Sequence, residues 1–472
     1  MIPPRITQLL GSGVTRINRL LGSGVTRINQ LLGSGVTDAD RGSIVRGTGY
    51  SFLIQGLSIA LVFLSGIWIV RSSDPTAYGR YVHVFNWVSI LSVIVMGGRD
   101  DLVLAQLPKY IGSRQGWKVG RLVGAANKFL VVAAIGVIAV FLTLISVFPV
   151  KTLSEHRPLF MLASAAVYFS ACLALNQMIL QALNHIRLSQ LVEKIGRPVL
   201  LILFVTAFRL LTRAGILDSK KLVLVATIVT GVCGLLVLYL VLQKIKKYRE
   251  PVPQGLPGEK LSGKATWFFF ISLMNLLGTK ITMLILPWFA PESSIGIFNI
   301  SYRFADLLIF PFFLMHTVLP QLFARHTTTG TAYTQSIFSE SNKLMTLLSI
   351  PLLLLNIVAG RFFLHWFGQE FETGYTALLY ISLAQFLFSL FGPANTILMM
   401  QDREKYSAIC LLVYVIVLVV ASRLLIPIGG ITGGALAILI GSLVYNILLA
   451  MVTWRLCGIR SPFFAFLVKS GQ

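Results

Sequence analysis

Three ionisable side chains fall where the sequence is otherwise apolar: Lys280 within MNLLGTKITMLI, and Arg303 and Asp306 within NISYRFADLL. A charge at the centre of a hydrocarbon layer costs at least about 2.5 to 3.5 kcal/mol, so such residues mark a binding site, a relay or an internal ion pair. Asp306 follows Arg303 at i,i+3 and could pair with it, or with Lys280 from the preceding run. One carboxylate cannot neutralise two cations, however. The surplus charge suits a pyrophosphate, because Arg offers a planar fork and Lys a point charge to phosphate oxygens. Asn299, Arg303 and Asp306 share one helix face, and Ser272, Asn275, Thr279 and Thr282 form a second polar stripe with Lys280 beside it. On this reading Lys280 and Arg303 hold a diphosphate, Asp306 orients them or titrates, and Asn275 and Asn299 add polar contacts.

Two further clusters lie near the ends of apolar runs. GGRDDLVLAQLPKY carries Arg99, Asp100 and Asp101, and EKIGRPVLLI carries Glu193, Lys194 and Arg197. Arg99 and Arg197 could gather anionic head groups at a membrane surface, although interfacial cations also arise from snorkelling and topology alone. Asn176, Gln177, Gln181 and Asn184 add amides suited to sugar hydroxyls; Gln177, Gln181 and Asn184 share a face. Hydrogen bonding between helices would use them equally well.

These residues must be positioned by membrane spans. The chain has 472 residues, 56% hydrophobic and 12% charged, with mean hydropathy +0.80. A soluble domain carries about 25% charged residues, so the class is integral membrane protein. Apolar runs long enough to cross roughly 30 Å of hydrocarbon fall near 48–70, 81–98, 128–149, 158–183, 196–212, 221–243, 265–287, 295–320, 343–366, 374–398, 405–427 and 431–455, twelve predicted helices. At about 1.5 Å per residue, Lys280 and Arg303 then sit about 10 Å below the same boundary on consecutive helices.

The net charge of +23 does not point to nucleic acid, since the basic residues lie between apolar runs and not in one stripe. Most of them fall on one side of the twelve-span topology, which by the positive-inside rule puts both termini in the cytoplasm. Arg209, Arg213, Lys220 and Lys221, all on the outer side, argue against it. No secretory signal precedes the first run, which begins near Thr48 and is too long for one.

The polar segment KIKKYREPVPQGLPGEKLSGK, residues 244–264, divides six helices from six and reads as a cytoplasmic linker between an N-lobe (44–243) and a C-lobe (265–458), with a tail at 459–472. The lobes are similar to each other. SSDPTAYGRY (72–81) aligns with FAPESSIGIF (289–298), placing Gly79 over Gly296, and QALNHIRLSQ (181–190) aligns with LMMQDREKYS (398–407) at the same offset. Because six is even, the repeat is parallel, about an axis along the membrane normal.

A first helix followed by DPTAYGRY, a second ending in GGRDDLVLAQLPKY, and a C-terminal LLIPIGGITGGALAILIGSLVYNIL resemble the polysaccharide flippases of the multidrug/oligosaccharidyl-lipid/polysaccharide exporter superfamily. The resemblance covers nearly everything after residue 43. It implies an all-α membrane fold of two six-helix lobes, and movement of a lipid-linked (polyprenyl diphosphate) oligosaccharide across the cytoplasmic membrane by alternating access. Membrane lipids and polysaccharide assembly proteins are its implied partners. It implies no invariant chemical site, so the site residues rest on their own chemistry.

Enzymatic signatures are absent from the sequence: neither HExxH nor GxSxG occurs, the six histidines are scattered, and the four cysteines form no CxxC. The sole DxD, Asp38-Ala39-Asp40, has no soluble domain around it. GEKLSGKA, residues 258–265, matches part of a phosphate-binding loop, but Ala265 replaces its Ser/Thr and no strand precedes it. No cofactor, metal or nucleotide site is expected, which leaves an ion or substrate gradient as the driving force. The competing readings are a drug or cation antiporter of the same superfamily, which an acidic cavity would favour, and a membrane polymerase or ligase, which would need large external loops.

Residues 1–43 carry an 11-residue repeat, LLGSGVTRINR, whose Gly-Ser-Gly lacks the remaining features of a nucleotide fingerprint. Its period equals three turns of about 3.67 residues and gathers Leu10, Val14, Ile17, Leu21, Val25 and Leu32 on one stripe. An in-plane surface helix or an expendable tail would both fit.

Overall fold

The computed structural model describes residues 56–113, 115–147, 155–212, 216–248, 262–312, 331–401 and 403–461. The repeat of residues 1–43, the start of the first predicted span, the core of the linker and the C-terminal tail lie outside them. Among the described residues the protein is helical throughout, with one isolated backbone bridge between Ser73 and Leu217.

Among the described residues nine helices are long and apolar enough to cross a membrane. The longest, Glu404–Cys457, is broken at Gly430 (φ 53°, ψ −127°) into two spans. Two shorter helices, Gly56–Arg71 and Arg197–Thr212, complete the twelve expected positions. In chain order the elements used below are α1 (Gly56–Arg71), α2 (Pro75–Met96), α3 (Arg99–Gly112), α4 (Gly116–Val147), α5 (Arg157–Ala182), α6 (Ile186–Gln190), α7 (Arg197–Thr212) and α8 (Ser219–Ile245). The second half contains α9 (Ser262–Ile285), α10 (Glu292–Ala305), α11 (Thr331–His365), α12 (Tyr375–Phe391), α13 (Ala394–Met400) and α14 (Glu404–Cys457).

The motifs behind the family resemblance are helix punctuation. In DPTAYGRY, Asp74 caps α2 by accepting from Thr76 N–H at 3.0 Å, and Pro75 occupies the first turn, where its missing N–H is no loss. At the other end Gly97 and Gly98 take consecutive left-handed conformations, φ 56° and 72°, and turn the chain into α3. In IPIGGITGG the left-handed Gly430 reverses the chain, and a Cβ on Gly433 would strike the Leu425 carbonyl, so the last two spans depend on small residues where they fold back.

Helices α2 to α8 form one lobe, dominated by the α5/α8 contact, and α9 to α14 form the other, dominated by contacts of α14 with α9 and α12; α1 runs along the second, with Phe63 on Phe304 and Arg71 donating to the Trp366 carbonyl. The lobes meet where α2 packs on α9 and α10, and where α3 meets α9. Two ends of this interface can be told apart. The hairpin side carries the turns at Ser72–Asp74 and Phe289–Pro291, and the linker side carries Gly97–Gly98 and the helix end at Lys246–Tyr248. Backbones nearly touch at both. On the hairpin side a Cβ on Gly79 would fall on the Glu292 carbonyl, and one on Gly296 would lie 2.8 Å from Tyr78 Cδ1. The two glycines aligned by the sequence repeat therefore meet across the lobe interface. On the linker side Gly98 lies against the Ala265 and Phe269 backbone.

Candidate functional site

Lys280 on α9 and Arg303 and Asp306 at the end of α10 lie close enough to act on one another electrostatically. Asp306 is exposed. Lys280 and Arg303 are part-exposed. Helix α10 begins at Glu292, earlier than the sequence indicates, so Arg303 sits about 16 Å from its start at about 1.5 Å per residue, deeper than predicted.

The anticipated internal ion pair is not formed. Asp306 Oδ1 accepts instead from Gln385 Nε2 of α12 at 2.9 Å, and Gln385 also bonds Tyr302. Among the described residues neither Lys280 nor Arg303 makes a hydrogen bond or ion pair. Arg303 points toward α1: its Nη1 would stand 3.3 Å from a Cβ on Gly66, so the absent side chain there leaves room for the guanidinium.

The opposite lobe contributes a third cation. Residues 184–195 were expected to be largely loop, yet α6 runs through a π-helical turn, Leu191–Gly196, directly into α7. Arg197 consequently stands about 15 Å along a continuous helical rod and not at its mouth. Tyr81 of α2 feels both Arg197 and Arg303, which brings these two residues of different lobes to one tyrosine. π turns recur at functional sites because they re-aim a side chain within a helix.

Other predicted residues are engaged elsewhere. Asn299 is buried and donates to Tyr78 Oη at 3.0 Å, so it holds the lobe contact and does not line the cleft. Gln177 is buried, donating to Glu193 Oε2 at 2.9 Å and to the Ser189 carbonyl at 3.1 Å. Asn176 pairs with Asn127. Arg99 stacks on the Phe129 ring. Gln181 and Asn275 are exposed, the latter with its amide returned to the Ile271 carbonyl. The α9 stripe divides: Ser272 donates to Asp101 across the lobes at 2.8 Å, while Thr282 faces Ser422 within the C-lobe.

Outside the membrane-spanning helices, burial raises Asp100 to about 6, and the negative charge of Asp101 pushes in the same direction. Burial lowers Lys194, opposed by Glu193. Among the described residues no group of His, Cys, Asp and Glu could hold a metal. The free cations at mid-depth can instead bind an anion.

A family model described as polysaccharide biosynthesis protein matches residues 44–326. No curated protein gives a significant match. Among solved structures the fold is similar to an inward-facing multidrug resistance MATE family transporter of the MOP superfamily, with TM-score 0.68 and 13% identity, covering 85% of this chain and 94% of that one. It is also similar to the lipid II flippase MurJ in an inward closed conformation, with TM-score 0.65 and 12% identity over 85% and 86% of the two chains. A MOP superfamily transporter from Pyrococcus furiosus gives TM-score 0.62 and 14% identity over 86% and 93%. At these identities the likeness establishes the fold: two membrane-embedded lobes of transporter type.

Proposed function

The chain belongs to the polysaccharide biosynthesis protein family, and from that premise we propose that it flips a lipid-linked oligosaccharide across the cytoplasmic membrane by alternating access, with a diphosphate held between the lobes. The observation that carries this reading is the part-exposed pair Lys280 and Arg303, which share one carboxylate, Asp306, and make no ion pair among the described residues, with Arg197 of the other lobe and Arg303 both acting on Tyr81. A diphosphate supplies the negative charge this cleft lacks, and Arg can grip it through two parallel hydrogen bonds. Asp306, held by Gln385, lies near enough to Lys280 and Arg303 to act on both. With the positive-inside assignment, the linker side faces the cytoplasm, where such a substrate is assembled, and the hairpin side faces out.

A drug or cation antiporter is the second reading, since a MATE transporter shares the fold. It fits the cleft less well, because Asp306 stands against Lys280 and Arg303. A polymerase or ligase has no carboxylate pair here to serve as acid and base. The test is to measure lipid-linked oligosaccharide on each leaflet in cells carrying Lys280→Ala or Arg303→Ala. Accumulation on the inner leaflet with normal protein levels is expected. Full activity in both variants would overturn the assignment of the site.

A further inference from the structure

On the hairpin side four side chains from three elements converge at the lobe seam. Glu292, the first residue of α10, takes His156 Nε2 on Oε1 at 2.5 Å and Arg80 of α2 on Oε2, so one C-lobe carboxylate is gripped by two N-lobe cationic groups. The grip sits where the backbones are closest, beside Gly79 and the Glu292 carbonyl. Behind it stands His83, one turn along α2 from Arg80. Its side chain is 1% exposed, neither ring nitrogen has a partner, and its ring meets His156 and Phe160 edge-on, both at 6.2 Å. A buried polar group without partners calls for an explanation. A second arrangement in which water or a carboxylate reaches it is the natural one.

We propose that Arg80, His156 and Glu292 form a latch that closes the hairpin side of the cleft, and that His83 makes the latch acid-releasable. In the closed arrangement a proton on His83 would place a buried positive charge with no anion of its own. The titratable groups that act on it are His156 at the head of α5 and Glu292 on α10, and the apolar Phe160 of α5 meets its ring. Glu292, the carboxylate among them, is already engaged. Parting of the lobes removes Glu292 from both partners and admits water to His83, which then accepts a proton in the ordinary imidazole range. Acid on the hairpin side thus favours the open form.

The proposal rests on alternating access but not on the identity of the cargo, so its test needs no substrate. Spin labels on Ile216→Cys and Glu370→Cys, exposed positions of the two lobes on this side, report lobe separation in the full chain reconstituted in lipid; the four native cysteines are buried. Between about pH 7.5 and about pH 5 the longer distance should gain population, by up to about tenfold per pH unit for one extra proton in the open form. Glu292→Gln should populate the open form at every pH. His83→Gln should abolish acid-driven opening. Acid-driven opening that persists in His83→Gln, or a Glu292→Gln protein as closed as the wild type, would overturn the proposal. Should His83→Gln fail to fold, His83→Asn provides the same discrimination. A failure of flipping in the Lys280 and Arg303 variants would leave these distances unchanged.

Discussion

Gly79→Ala isolates the lobe contact from the chemistry of the cleft. The glycine lies in the second turn of α2, and an added Cβ would coincide with the Glu292 carbonyl oxygen, a backbone atom that no side-chain rotation can move. Overpacking of this kind costs about 1 to 3 kcal/mol, and here relief comes only by separating α2 from α10. The closed form is therefore penalised relative to the open one by that amount, a shift of about 5- to 150-fold in their ratio. Alanine also favours helix over glycine by about 1 kcal/mol, but that gain accrues to α2 in either form. The expected signature is an unchanged or raised melting temperature together with a marked rise in the longer Ile216–Glu370 label distance. Gly136→Ala serves as control, since no atom lies within 4 Å of its added Cβ; it should share the helix gain and leave the distances alone. If Gly79→Ala leaves the label distances at their wild-type values, the two lobes do not separate at this seam and the reasoning fails.

Asp100 supplies a pH dependence outside the membrane spans. Its carboxyl, 9% exposed and with Oδ1 unpartnered, is raised to about 6 from 3.8, chiefly by burial and then by Asp101. The folded state thus holds this proton more tightly than the unfolded chain, so the stabilisation is complete below about pH 4 and is lost as pH rises through about 6. A shift of this size corresponds to about 3 kcal/mol. Asp100→Asn should remove that decline from a thermal-unfolding series between those pH values. On the linker side, Ser272→Ala deletes the Asp101 hydrogen bond across the lobes; removing a bond to a charged acceptor costs about 1.5 to 3 kcal/mol. Labels placed on the linker side should then move apart while Ile216–Glu370 does not change.

The spans were legible because apolar length and polar breaks are local properties, and the parallel repeat was legible because its loops keep their spacing. Gly79 and Gly296 could be aligned from sequence alone, but alignment does not say that the two touch. The depth of Arg197 was not legible because the polar stretch QALNHIRLSQLVEK reads as a loop; a π turn keeps it helical with no hydrophobic signature of its own. Asn299 and Gln177 lay on the indicated polar faces, yet periodicity assigns a face and not the partner on the other side, which for both is protein. Arg80, His156 and Glu292 drew no attention, since charges near helix ends usually mark topology. Their pairing joins positions 212 residues apart, for Arg80 and Glu292, and no local pattern encodes that.

The two closures of the cleft are unequal, and the inequality bears on direction. The hairpin side is held by the Arg80–Glu292–His156 cluster, by Asn299 on Tyr78, by Arg71 Nε donating to the Trp366 carbonyl at 2.9 Å, and by the Gly79 and Gly296 approach. The linker side has the Ser272 bond to Asp101 and the packing of Gly98 on α9. Among the described residues fewer polar contacts join the lobes on the linker side than on the hairpin side. An anion entering from the linker side would meet Arg197 from one lobe and Lys280 and Arg303 from the other. Any ligand that binds both lobes more tightly when they are together shifts the equilibrium by its differential affinity alone. On the proposed function, Lys280, Arg303 and Arg197 would give a doubly charged anion that leverage, and a neutral or cationic ligand would not have it.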